Sequence, residues 1–213
     1  MKNYNEEYFF LGIVEHPDYP MLALSKDFKN YAIDFLCTEP IEYEQTIQLK
    51  FRDPVPRKPR MVDYHSFSTP SPVFSEKLKK VIEGIPVKDI QFVPVLICNK
   101  NDELIEGYHA IKVCNSIECA DMDLSGYDTF SDGEISAFTK LVLDNEKLDK
   151  IPLENRLIFA LGEKITYVLY HISVVEKMLE TTPEGMTVYR LAGWDSSAPF
   201  YEVYGNYLKS LMK

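Results

Sequence analysis

Basic residues are scarce in this chain. Its 23 lysines and arginines face 33 aspartates and glutamates, leaving a net charge of −10 over 213 residues. That sign does not supply the phosphate contacts on which nucleic-acid binding rests, so no nucleic acid is expected as a partner. Long apolar runs are missing too, since nothing approaches the ~18 residues that suggest a membrane span. The opening Met1-Lys2-Asn3-Tyr4-Asn5-Glu6-Glu7 carries acid where a signal peptide wants base, and no apolar core follows it. The chain therefore reads as a soluble cytoplasmic protein without a membrane partner. Cysteine is limited to Cys37, Cys98, Cys114 and Cys119. In a reducing compartment these are expected as free thiols, mostly small buried apolar groups.

The sequence also lacks the motifs that carry common chemistries. There is no G-x-x-x-x-G-K-[ST] phosphate loop, no G-x-G-x-x-G, no G-x-S-x-G elbow and no H-E-x-x-H helix. His16, His65, His109 and His171 are dispersed and have no signature partner. His109, Cys114, Cys119 and Asp121 are metal-capable, but structural zinc wants paired short spacings and only one loose pair exists here. Asp121 and Asp123 offer two carboxylates for acid–base work or a cation, yet two acids near a turn serve more often as caps and solvated loop residues. The expectation is a protein without catalytic residues, metal or cofactor.

What is present is an ordinary globular composition, 46% apolar and 26% charged, long enough for a real core. Strand-like runs occur at Tyr8 to Val14 and Ile41 to Phe51. The stretch Arg52-Asp53-Pro54-Val55-Pro56-Arg57-Lys58-Pro59-Arg60 then breaks the pattern and reads as a surface loop; its P-x-x-P is also a polyproline-ligand form. Beyond it, Ser75 is placed to cap a helix in which Leu78, Val81, Ile82 and Ile85 share one face and Gly84 marks the stop. Strands are expected at Ile90 to Cys98, with Pro94 at an edge or bulge, and at Tyr108 to Val113, Ile135 to Leu143, Leu157 to Leu161, Ile165 to Leu169 and Met186 to Leu191. Helices are expected at His171 to Glu180 and, from the spacing of Tyr204, Tyr207, Leu208 and Leu211, at 199–212. Strands outnumber helices and several connections have hairpin length. The fold class is therefore α+β, a mixed or mainly antiparallel sheet with a few packed amphipathic helices. Residues 1–70 read as a strand-rich N-terminal portion and 71–213 as the α+β domain. A shift of 96 residues lays 73–97 over 169–193, placing Leu78 on Val174, Ile82 on Met178, Ile90 on Met186 and Phe92 on Val188. One strand-helix-strand unit used twice accounts for this, as does chance likeness of two ordinary units.

The acid is concentrated. Between Asp102 and Glu134 nine carboxylates face a single lysine, Lys112. Such a stretch is either a solvated face or a docking surface for a basic protein. The residues best placed for docking are Asp121, Asp123, Asp128, Asp132 and Glu134, with Tyr127 and Phe130 between them as apolar anchors. The alternative has the two rings tucked into the core and the acids solvating a loop.

From Ser71 to Gly193 ordered blocks carry a family likeness. They are Pro72-Val73-Phe74-Ser75-Glu76-Lys77-Leu78, Ile90-Gln91-Phe92-Val93-Pro94-Val95, the stretch Tyr108 to Ser125, Val142 to Leu148, Leu157-Ile158-Phe159 and Gly185-Met186-Thr187-Val188. In this order they resemble the eleventh family of bacterial immunity proteins from polymorphic toxin systems, long catalogued as a domain of unknown function. Residues 1–70 carry little of the likeness. One departure is Lys112, which stands where the family's "Y-x-L-N-V" strand has asparagine and which puts a shared partner in question. The resemblance implies a protein that binds and neutralises a cognate toxin, here a basic one, without turnover or cofactor. It supplies no agreed functional residues. A binding or scaffold module for another protein, or a hydrolase using scattered carboxylates, are the competing readings.

Overall fold

The helix expected after Ser75 forms as its sequence dictates. The Ser75 hydroxyl accepts the Leu78 amide, Glu76 sits in the first turn, and Gly84 closes the C-terminus. The computed structural model describes residues 2–29, 31–43, 45–66 and 71–196; the helix expected at 199–212 lies outside them. In chain order the strands are β1 (Tyr8–Ile13), β2 (Leu22–Leu24), β3 (Ile47–Phe51), β4 (Tyr64–His65), β5 (Val73–Ser75), β6 (Ile90–Cys98) and β7 (Leu104–Val113). There follow β8 (Ser116–Ile117), β9 (Gly126–Thr129), β10 (Ile135–Lys140), β11 (Ile158–Leu161), β12 (Lys164–His171) and β13 (Met186–Arg190). The helices are α1 (Tyr31–Asp34), α2 (Glu76–Glu83), α3 (Asn145–Asp149) and α4 (Ile172–Leu179).

The strands form a six-stranded sheet, β2-β3-β6-β7-β5-β4, a five-stranded sheet, β13-β1-β12-β11-β8, and the separate β9–β10 ribbon. Among the described residues only β3–β6 and β8–β11 pair in parallel. The fold is thus α+β with mixed, mainly antiparallel sheets, as the pattern of runs predicts. Two strands fall three or more residues short of their apolar runs: the ladder begins at Ile47 rather than Ile41, and β10 ends at Lys140 rather than Leu143. At Ile41 the backbone instead exchanges two hydrogen bonds with the Gln91 side chain, at 2.8 and 2.9 Å. Pro94 lies in a strand that is interior to its sheet, but at a point where β3 has not begun, since the β3 ladder starts opposite Val95. A register irregularity follows between Val95 and Ile97. The missing amide of Pro94 therefore falls where β7 is the only laddered neighbour.

The echo at 96 residues is a structural repeat. Added to the bounds of α2 it gives those of α4, and added to Ile90 it gives Met186, the first residue of β13. The pairing agrees. β7 lies between β5 and β6, and β1 lies between β12 and β13, antiparallel to both neighbours in each case. Val113, Lys112 and Ile111 face Ile90, Gln91 and Phe92, while Ile13, Gly12 and Leu11 face Met186, Thr187 and Val188. Thus β1 does for the second unit what β7 does for the first, from the opposite end of the chain. α2 and α4 pack against each other between the sheets, with Leu78, Ile82, Val174, Val175 and Met178 fully buried. Each such side chain contributes roughly 1.5–3 kcal/mol relative to exposure. The outer face of each sheet carries a further core, around Leu49, Val95 and Ala110 on one side and around Tyr8, Phe138 and Phe159 on the other.

Candidate functional site

The acidic stretch folds into the β9–β10 ribbon and its approach. Ile135 pairs with Thr129 and Phe138 with Tyr127, with register shifts on either side of the Ala137–Phe138 pairings. At the tip, Phe130 donates its amide to the Glu134 carbonyl and Gly133 to the Phe130 carbonyl. Gly133 has φ +90, a conformation that glycine adopts freely. The Asp132 carboxylate accepts the Glu134 amide at 3.1 Å. Asp128, Asp132 and Glu134 are exposed, and so are the two aromatics, Tyr127 at 41% and Phe130 at 54%. The rings do not tuck into the core. Lys164 stands 5.5 Å from the centre of the Phe130 ring. Asp123 is exposed beside them, whereas Asp121 is half-buried and its carboxylate accepts the amides of Asp123 and Leu124. Six of the seven predicted residues thus share one solvent-facing region, and Asp121 shapes the turn that leads to it.

The ribbon is fastened to the body by aromatic rings. Phe138 lies 6.0 Å from Tyr127 and 5.6 Å from Tyr167, whose hydroxyl accepts the Phe138 amide at 3.1 Å. Tyr167 in turn meets Phe10 and Trp194, which pack 5.0 Å apart. These three residues line a cleft of about 620 Å³ between β1 and β12, together with Leu11, Ile13, Val168, Tyr170 and Thr187. Sequence reasoning missed this cleft. No single residue signals it, because it comes from two strands parting.

Of the residues weighed for catalysis, His65 and His171 make hydrogen bonds that serve the local fold. His65 is buried, with Nε2 accepting the Val62 amide and Nδ1 facing the Pro20 carbonyl. Burial pushes its pKa down to about 4. His171 caps α4 through the Ser173 amide and reaches Glu7 at 3.3 Å, and its pKa is lowered by burial. His109 lies 3.5 Å from Glu76; its pKa is lowered by burial, with Lys79 adding to the shift. Burial drives the Cys119 thiol far up, and Cys98 and Cys114 are raised for the same reason. Among the described residues His109, Cys114, Cys119 and Asp121 do not converge as a metal-ligating group.

His65 makes stability depend on pH. Its folded pKa lies below the ordinary value of 6.5, so its contribution is complete above about pH 6.5 and is lost as pH falls toward 4. At pH 5 the loss should reach about 2 kcal/mol. Denaturant unfolding of the wild type and of His65→Gln at pH 7 and pH 5 measures it. The variant should lack this part of the acid sensitivity, and equal slopes would remove His65 as its source.

The structure is an α+β body that presents acid and aromatic rings on an exposed ribbon beside an apolar cleft. The chain belongs to the immunity protein family Imm11, whose profile matches residues 5–164. The matched span takes in most of the N-terminal portion, to which the likeness of the sequence blocks did not extend, and stops where β12 begins. A search among curated proteins finds no match.

Proposed function

We propose that this protein binds a cognate toxin domain in the cytoplasm and neutralises it, with the acidic ribbon as its first docking surface and a basic toxin as the partner. Family membership makes an immunity role the natural reading. The observation that carries the site is the exposure of Tyr127 and Phe130 among Asp123, Asp128, Asp132 and Glu134. Carboxylates steer a basic partner and fix its register, and the rings supply apolar contact that acids lack. Neither step needs turnover or a cofactor. Co-production with a candidate toxin domain, sought among the genes that adjoin this one, is the direct test. Cells should survive with the wild-type protein and die without it, and purified protein should form a stoichiometric complex. Survival without complex formation would favour a scaffold or enzymatic role instead.

The surface has its own test. Reversing Asp128, Asp132 and Glu134 together to lysine should slow association about tenfold at low salt, with the difference shrinking as salt screens the charges. Melting temperature should fall only slightly, because Asp128 and Glu134 are solvated and Asp132 gives up one hydrogen bond, from the Glu134 amide, at an exposed turn. Unchanged association and salt dependence would place the docking face elsewhere.

A further inference from the structure

The cleft beside β1 has a filled counterpart in the same molecule. Under the internal repeat Leu11, Gly12 and Ile13 take the places of Ile111, Lys112 and Val113, and Tyr170 takes that of Phe74. Around the first set the chain has laid its own segment. Phe35, Leu36 and Cys37 close the space against Pro72, Ile111 and Lys112, leaving about 10 Å³. Lys112 Nζ holds that segment by donating to the carbonyls of Asp34 and Cys37, and Gln91 holds it at Ile41. The equivalents of these two tethers are Gly12 and Thr187, neither long enough to hold a segment; both line the cleft, and the Tyr189 ring packs over Gly12. Among the described residues no segment takes the place that Phe35–Cys37 takes in the first unit.

Two features indicate what would sit there. β1 and β12 pair only at Tyr8 with His171 and Phe9 with Tyr170. Yet β1 continues to Ile13 alongside β13, and β12 begins at Lys164 alongside β11. Their facing main-chain edges are joined by no ladder beyond those two pairs among the described residues, so an extended chain would find donors and acceptors on both sides. Tyr170 also lines the cleft, and its buried hydroxyl has no hydrogen-bond partner; the filled groove has Phe74 at that position. A buried hydroxyl without a partner is costly unless something supplies one.

We infer that the cleft receives an extended apolar segment of the toxin, flanked by basic residues, as a strand seated between β1 and β12. This rests on the immunity reading. The cleft opens next to the acidic ribbon through the Tyr127, Phe138, Tyr167 and Phe10 rings, and among the described residues its lining carries Glu15 but no lysine or arginine. A basic toxin docked on the ribbon therefore finds the groove adjacent and of compatible charge. Main-chain hydrogen bonds would set the strand's register, and Tyr170 would donate to one of its carbonyls.

Two variants of the full chain test this against the toxin domain that the co-production experiment identifies. Thr166→Trp fills the cleft from an exposed position and should weaken binding at least about tenfold. Tyr170→Phe removes only the hydroxyl and should weaken binding about fivefold while melting temperature holds or rises, an effect that a purely structural hydroxyl would not produce. A photo-crosslinking side chain at Val14, on the cleft wall, should capture the toxin. Wild-type binding undiminished in both variants overturns the cleft assignment and leaves the immunity reading standing. Crosslinks to a second copy or to residues 197–213 of the same chain also overturn it. Failure of the wild type to bind removes both the immunity reading and this inference.

Discussion

Lys112→Ala should cost about 4 kcal/mol of stability and leave toxin affinity unchanged. Lys112 is 1% exposed, and its Nζ is the donor to the carbonyls of Asp34 and Cys37. Truncation leaves two carbonyls without that donor at roughly 1–3 kcal/mol each and opens a space where the butyl stem packed. Melting temperature should fall by about 10 °C for a chain of this length. Lys112→Met, which fills the space without donating, should lose about half as much. Amide exchange at 34–41 should quicken in both variants, because that segment is what the lysine holds. The comparison also decides what this position is for. The sequence likeness sets Lys112 in the place of an asparagine, which raised the question of partner recognition, but its side chain is turned into the body under the 34–41 segment. Intact stability combined with lost toxin binding would return it to the recognition surface.

What the sequence made legible was local. α2 follows from its cap, its apolar spacing and its glycine stop, all within ten residues; α4, 96 residues on, keeps part of the apolar spacing but has His171 as its cap and Glu180 where the glycine stood. The exposed ribbon was half legible. Its composition marked it as acidic and aromatic, but Gly126–Thr129 reads as loop because no apolar alternation identifies it. β9 is a strand because β10 pairs with it. Lys112 was illegible for a related reason. A lysine is expected at the surface, and the carbonyls that justify its burial lie more than 70 residues earlier. The cleft lies furthest from sequence reasoning. It depends on how far β1 and β12 stay paired and on a glycine standing where the repeat elsewhere has a lysine. Even the repeat was ambiguous as sequence, since Val81 falls on Lys177, and only the pairing of β1 and β7 with their neighbours separates duplication from chance.

Gly185→Ala should destabilise the fold by about 4 kcal/mol, and Gly107→Ala by only about 1 kcal/mol, although both glycines have φ +84. The shared backbone conformation sets a common cost for any side chain. The surroundings set the difference. A β-carbon at Gly107 meets nothing within 4 Å, whereas one at Gly185 would lie 2.4 Å from Val62 Cγ2 and 2.8 Å from the Tyr64 carbonyl oxygen. Backbone cannot swing aside there. The Glu184 carbonyl accepts the amides of Asp63 and Tyr64, the Gly185 carbonyl accepts Val14, and the Asp63 carboxylate accepts the Glu184 amide, the Ser75 hydroxyl and the Lys77 ammonium. One turn thus fastens β13 to β1, to the start of β4 and to the N-terminus of α2. This seam joins the two sheets, and it adjoins the cleft through Val14 and Tyr64. Urea unfolding of the two variants beside the wild type reads the difference directly. A loss of similar size in both would mean that the seam yields and that the cleft is free to change width. A gap of about 3 kcal/mol would mean that the cleft's floor is rigid, so an incoming strand meets a preformed groove.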